Sequence, residues 1–192
     1  KPLNVPGEKE LVGRGVTYCS ICDAPLFKNK DVAVIGGGNS SFTAVADLIN
    51  IAKKIYVINN LDKWQADPVL LEKANKSDKF IPKLGYKVTG IMGKNSVEAI
   101  NIESLNKKTS ETLSVNGVFI EIGLIPNSEF VKDFLKLNKW GEIEIDDYCK
   151  TSVEGVFAAG DVTTVPEKQI IIAAGEGAKA ALSAYRYLLN SK

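Results

Sequence analysis

The 192-residue chain contains no histidine, three cysteines, one methionine and two tryptophans. Without histidine, neither a Ser-His-Asp nor a Cys-His nucleophile can form, and no imidazole is available to bind a metal. Three cysteines cannot supply a four-thiolate zinc site within one chain, and zinc at two of them would need carboxylates or a second chain. No metal is therefore expected. No apolar stretch approaches the roughly 20 residues that span a bilayer. Lys1 to Glu8 lacks the apolar core of a signal peptide. Charge is also nearly balanced, at 24 basic and 23 acidic residues without a long run of either sign. That balance gives no reason to expect a nucleic acid or a membrane as partner. The composition fits a cytoplasmic globular protein, and in that compartment a close cysteine pair is more often catalytic or metal-binding than structural.

Against these absences stand two motifs. Cys19 and Cys22 form a C-x-x-C pair followed by Asp23, a spacing that lets one sulfur attack a disulfide while the other resolves it. Asp23 is placed to give or take a proton. The plainer reading is two reduced packing cysteines with Asp23 capping the next turn. The second motif starts with the apolar, β-branched run Asp31 to Ile35, which reads as a buried parallel strand. Gly36, Gly38 and Ser41 then occupy the three positions of a G-x-G-x-x-G pattern, with Asn39 and Ser40 between them. The first glycine permits a tight turn, the second lets the backbone approach a pyrophosphate, and the third position must be small. Asn39 to Ile51 follows as a helix whose N-terminus suits an anion. Lys54 to Ile58 is the next strand, and the whole is a βαβ dinucleotide-binding unit.

Asn59, after that strand, stands where an adenosine ribose is read. It can bond a hydroxyl but offers no charge to a 2′-phosphate, and Lys63 is the nearest cation; NADH is favoured over NADPH. Farther on, 67–79 reads as a helix. Alternation around Val88–Ile91, Val97–Ile102 and Thr112–Val115 predicts a small antiparallel meander. The runs 141–145 and 155–160 read as strands, and about Gln169 to Leu189 as an amphipathic helix. Cys149 reads as a packing residue. The fold class is α/β: a Rossmann-like three-layer nucleotide-binding domain with an antiparallel meander, and part of a second domain. The domains are set at 9–127 and 128–192, with 1–8 as a linker.

The chain resembles the low-molecular-weight thioredoxin reductase family, most closely its alkyl hydroperoxide reductase flavoprotein branch. The matching stretches are Gly15 to Asp23, Pro25 to Phe27, Val32 to Ser40, Gln65 to Asp67, Gly155 to Asp161 and Thr163 to Ala180. The resemblance implies that NAD(P)H reduces FAD and that the flavin reduces a Cys19–Cys22 disulfide. Cys22 would then lie by the flavin, Cys19 would face the substrate, and Asp23 would handle the proton. It assigns Gly160 and Asp161 to a second flavin-binding signature. Lys168, Gln169 and Ile170 would lie at the flavin ring, making 128–192 the C-terminal part of an FAD-binding domain. The acceptor would be a thioredoxin-, glutaredoxin- or peroxiredoxin-like protein, and the intact protein a homodimer.

Four features depart from the family pattern. Ala24 replaces a glycine after Asp23, Thr43 a helix glutamate, Asn59-Asn60-Leu61 a His-Arg-Arg clamp, and Gln65 an arginine. The family's first flavin-domain half has no counterpart, so the chain is expected to be a fragment that binds FAD weakly alone. Other classes stay open: a non-catalytic nucleotide-binding module, or a dithiol sensor that binds no nucleotide.

Overall fold

In the computed structural model, which describes residues 1–190, the chain divides into two compact units, Lys1–Gly123 and Leu124–Lys192. After a 3-10 turn at Lys9–Leu11, the first unit has strand β1 (Val16–Thr17) and the single-turn helix α1 (Ser20–Asp23). Strand β2 (Asp31–Ile35), helix α2 (Asn39–Leu48), strand β3 (Lys54–Asn59), helix α3 (Pro68–Asn75) and strand β4 (Phe80–Leu84) follow. Next come β5 (Tyr86–Met92), β6 (Ala99–Ser104), β7 (Ser110–Ser114) and β8 (Gly117–Ile120).

Strands β1, β8, β2, β3 and β4 form a parallel sheet in that order, and β5, β6 and β7 an antiparallel sheet. The layering follows from the period-two alternation of side chains along a strand. From β2 and β8, Ala33, Ile35, Val118 and Ile120 pack against Val88, Ile91, Ile100, Ile102 and Leu113 of the meander. The opposite faces, Val32, Val34 and Phe119, pack with Ile55 and Val57 against Phe42, Val45 and Leu48 of α2. Strands buried on both sides need continuous apolar runs, and this chain has them. Phe42 anchors the helical layer, edge-on to Trp64 at 5.0 Å and 5.9 Å from Phe80.

The helix read over 67–79 is shorter than expected. Pro68 opens it, but it stops at Asn75, and Phe80 begins an edge strand that the sequence did not announce. Strand β1 was likewise invisible: two residues gain strand character only by pairing with Val118 and Phe119.

In the second unit, helix α4 (Ile170–Asn190) occupies the expected segment. The runs 141–145 and 155–160 are not strands. Each makes isolated bridges instead, Ile143 with Leu137 and Thr163, and Phe157 with Lys150. The left-handed backbone of Gly141, Gly155 and Gly160 (φ +85°, +78° and +78°) breaks extension at the ends of these runs.

Candidate functional site

The sheet order reverses beside β2. From β2 the chain crosses by α2 to β3 and by α3 to β4 on one side, while β8 lies on the other. In open α/β sheets the crevice at such a point, outside the carboxyl ends of the strands, is where ligands bind. Here the loop 36–38 follows β2, Asn59 ends β3, Glu121 follows β8, and the C-x-x-C loop follows β1. All these strands are parallel, so the sequence-predicted residues of the first unit gather at one end of the sheet.

A crevice of about 600 Å³ opens there, lined by Gly36 to Ser40, Asn59, Gln65, Tyr86 and Glu121. Its floor is shaped by glycines. Gly36 has φ +135°, and a Cβ there would come within 2.3 Å of the Glu121 carbonyl oxygen. At Gly37 a Cβ would strike Asn59, whereas at Gly38 it would meet nothing within 4 Å. The backbone at Gly38 thus faces open space, as close approach by a ligand requires. Gly38 is the N-cap of α2, and no side chain caps the helix, so its first N–H groups are available to an anion. Ser41, at the third motif position, is fully buried and donates its hydroxyl to the Glu121 carbonyl at 3.0 Å. A serine is accommodated because its hydroxyl has a partner.

Asn39 and Asp67 clasp each other. The Asn39 amide donates to the Asp67 carboxylate at 2.9 Å, and the Asp67 N–H donates to Asn39 Oδ1 at 2.8 Å. Asn59 is buried, with its Nδ2 donating to the Lys63 carbonyl at 2.9 Å. Gln65 N–H in turn donates to the Gly37 carbonyl at 2.8 Å, folding residues 60–65 back onto the glycine loop. Part of the Asn39 and Asn59 side chains is therefore spent on the walls of the crevice. Sequence reasoning could not see this, because both bonds depend on how the 60–67 loop returns.

Cys19 and Cys22 are joined as a disulfide with their Cα atoms 5.3 Å apart. Cys19 caps α1, its Sγ accepting the Cys22 N–H at 3.2 Å; Cys22 is exposed and Cys19 half-buried. Asp23 accepts the Thr17 hydroxyl at 2.5 Å, and that hydroxyl also accepts the Cys19 N–H at 3.2 Å. One buried threonine thus fixes both the first cysteine and the acid. Ser20, between the cysteines, donates its hydroxyl to Asp47 of α2 at 3.0 Å, and its N–H faces the Glu121 carboxyl.

Two acidic residues at this end were not legible in the sequence. Glu8 is buried and gathers the N–H groups of Leu3 (3.0 Å), Asn4 (2.6 Å) and Val5 (3.3 Å) with the Tyr18 hydroxyl (2.7 Å). Burial pushes its carboxyl up, but these donors together outweigh it and the net shift is downward. Burial and the Glu8 carboxylate push Tyr18 up to about 12. Glu121 is half-buried, and desolvation pushes its carboxyl up to about 7; the Ser20 N–H opposes and Asp47 adds. Its one sequence signal is an acidic residue directly after the apolar run Gly117 to Ile120.

The remaining predicted residues lie in the second unit. Gly160 is buried, and a Cβ on it would meet Ala173 of α4 at 3.2 Å. Asp161 is exposed. Lys168 pairs with Glu142 at 2.9 Å and donates to the Thr163 carbonyl, so its ammonium is tied into the unit. Gln169 is half-buried, and Ile170 is 86% exposed at the head of α4. Cys149 is fully buried with its Sγ 3.2 Å from Glu176; burial, then that carboxylate, pushes its thiol up to about 11, which makes it unreactive. Among the described residues, no group of His, Cys, Asp or Glu is placed to hold a metal, and no helix is long and apolar enough to cross a membrane.

The model of the family "Pyridine nucleotide-disulphide oxidoreductase" matches residues 1–177. The chain belongs to this family. Within it the chain is thioredoxin reductase-like. It is 43% identical over 191 residues to the F subunit of alkyl hydroperoxide reductase from Staphylococcus aureus, covering all of this chain and 38% of that protein. Among solved structures, thioredoxin reductase from Streptococcus pyogenes aligns with a TM-score of 0.90 at 36% identity, over 98% of this chain and 62% of its own. Thioredoxin reductase from Giardia duodenalis aligns with a TM-score of 0.85 at 32% identity, over 98% and 62%. The chain thus spans well under half the length of the curated relatives it matches. As a member of this flavin disulfide reductase family, whose members use FAD and NAD(P)H, it carries both a C-x-x-C disulfide and a glycine-lined crevice.

Proposed function

We propose that this chain is the nucleotide- and dithiol-bearing part of an FAD-dependent disulfide reductase. In this reading NADH is the electron donor, and Cys19–Cys22 passes electrons to a thioredoxin-, glutaredoxin- or peroxiredoxin-like protein. The observation that carries the reading is one arrangement: an oxidised C-x-x-C pair at the same end of one parallel sheet as an open glycine loop.

The residues suit both cofactors. Gly36 and Gly38 leave the space a pyrophosphate needs, and the uncapped start of α2, with Asn39 and Ser40 beside it, offers it N–H groups. Arginine occurs only at Arg14 and Arg186, so no guanidinium fork lines the crevice for a 2′-phosphate, which favours NADH. In the second unit, Asp161 directly after the left-handed Gly160, with Gln169 and the exposed Ile170, would hold FAD. FAD, when bound, supplies the relay that takes a hydride from the nicotinamide and delivers two electrons to a disulfide.

The chain's own groups then have defined tasks. Cys19, with the Cys22 N–H against its sulfur, is the thiol favoured as thiolate and hence as nucleophile. Cys22 resolves the mixed disulfide, and Asp23, steered by Thr17, moves the proton of the outgoing thiol. The test uses the FAD-loaded whole protein: Cys22→Ser abolishes NADH-driven disulfide reduction, and retained turnover overturns the assignment.

A further inference from the structure

Glu121 belongs to neither motif, yet it touches both. Its N–H donates to the Ile35 carbonyl at 2.8 Å, and its carbonyl accepts the Ser41 hydroxyl, so its backbone is built into the glycine loop. Its side chain leaves the end of β8 and meets the Ser20 N–H. Ser20 is held a second time, through its hydroxyl, by Asp47. Asp47 therefore holds the residue that lies between the redox cysteines, and the Glu121 carboxyl, which faces the N–H of that residue, also lines the crevice. The charged side chain facing Glu121 is Asp47 from α2.

We propose that Glu121 is a proton-linked positioning residue shared by crevice and redox loop, whose charge state sets both thiol reactivity and affinity for an anionic nucleotide. Protonated, it holds the loop without adding negative charge. Ionised, it adds negative charge beside the redox loop and to the crevice wall, which opposes a thiolate at Cys19 and a pyrophosphate at Gly36 to Ser40 through partly screened repulsion. Burial brings this change close to neutral pH. The nucleotide half of the inference rests on the proposed function; the thiol half does not.

The test compares the wild-type chain with Glu121→Gln, which keeps an acceptor for Ser20 and removes the titration. Dithiothreitol, oxidised to its cyclic disulfide, supplies the two electrons and two protons that convert the Cys19–Cys22 bond to two thiols. After its removal, alkylation by iodoacetamide and binding of NADH are measured from about pH 5.5 to 8.5. At the acid end the two proteins match. At the alkaline end the variant alkylates about two- to fivefold faster and binds NADH more tightly by a similar factor, the size expected for one nearby screened charge. A variant-to-wild-type alkylation ratio that stays constant with pH overturns the inference. If neither protein binds NADH at any pH, the proposed function fails, and the alkylation ratio still decides the role of Glu121. Asp47→Asn provides a second variant: it moves the wild-type inflection to lower pH, and an unmoved inflection overturns the pairing of the two carboxyls.

Discussion

The two units of this chain solve the problem of burial differently. Residues 1–123 form two full apolar layers, one on each face of a parallel sheet, with Phe42, Phe119, Ile55, Ile58, Ile100 and Ile102 almost wholly out of water. In residues 124–190 the buried apolar side chains among the described residues are Leu135, Ile143 and Cys149. Helix α4, 21 residues long, buries only Ser183, while Ile170, Ile171, Leu182, Tyr185, Leu188 and Leu189 are exposed. A run of exposed apolar residues on one helix marks a surface meant for further protein or for a ligand. The first unit thus has what an independent domain needs. The second is organised by turns, isolated bridges and hydrogen bonds such as Ser128 and Thr163 to neighbouring carbonyls. In the proposed reading its apolar face is covered by the remainder of an FAD domain.

Substitutions can break this contrast. The largest effect belongs to the first core: Phe42→Ala removes the ring that meets Trp64 and Phe80 and should cost about 3–5 kcal/mol in urea unfolding. A loss below about 1 kcal/mol would mean that the helical layer is not tightly packed. Next comes Glu8→Ala, which strands three backbone N–H groups and the Tyr18 hydroxyl and should cost about 2–3 kcal/mol by the same measurement. Because the folded Glu8 carboxyl lies below its ordinary value, its contribution is present above the unfolded pKa. It is lost as the pH falls through the folded pKa, and Glu8→Gln should reduce that acid sensitivity. The smallest effect belongs to α4. Leu188→Gln replaces a side chain 67% exposed and should change stability by less than about 0.5 kcal/mol. A large loss there would show that the apolar face of α4 is already covered in this chain.

How far the sequence could be read follows the same division. The βαβ unit was plain because its strands are continuous apolar runs and its turn is written in glycine. The meander was plain from alternation, and α4 from its helical spacing. The C-x-x-C pair was plain from its spacing. Strand β1 was hidden because two residues carry no pattern and depend on a partner that the chain reaches only at Val118. The runs 141–145 and 155–160 have strand composition but lack neighbours to pair with beyond single bridges, so composition misled there. At the site, Gly36, Gly38, Cys19 and Cys22 announce themselves by type and spacing. Glu8 and Asp47 do not, and Glu121 does so only by following an apolar run, since an isolated acid in a sequence gives little sign that folding will surround it with donors or bury it beside a redox loop. Asn59 stands by its position after β3 as a ribose reader; that its amide is tied to the Lys63 carbonyl depends on the path of the loop.

The central claim is that the loop at Gly36 to Ser40 receives the pyrophosphate of a nicotinamide nucleotide. Gly38→Asp tests it most directly, because a Cβ at Gly38 meets nothing within 4 Å and an aspartate is a favourable N-cap for α2. The variant should therefore fold with undiminished stability while placing a negative charge where the phosphates would lie. Titration of NADH into the 192-residue protein should show binding by the wild type and at least about a tenfold loss in the variant, as one repelling charge at contact range implies. Equal affinity in two equally stable proteins would mean that the phosphates do not lie at this loop.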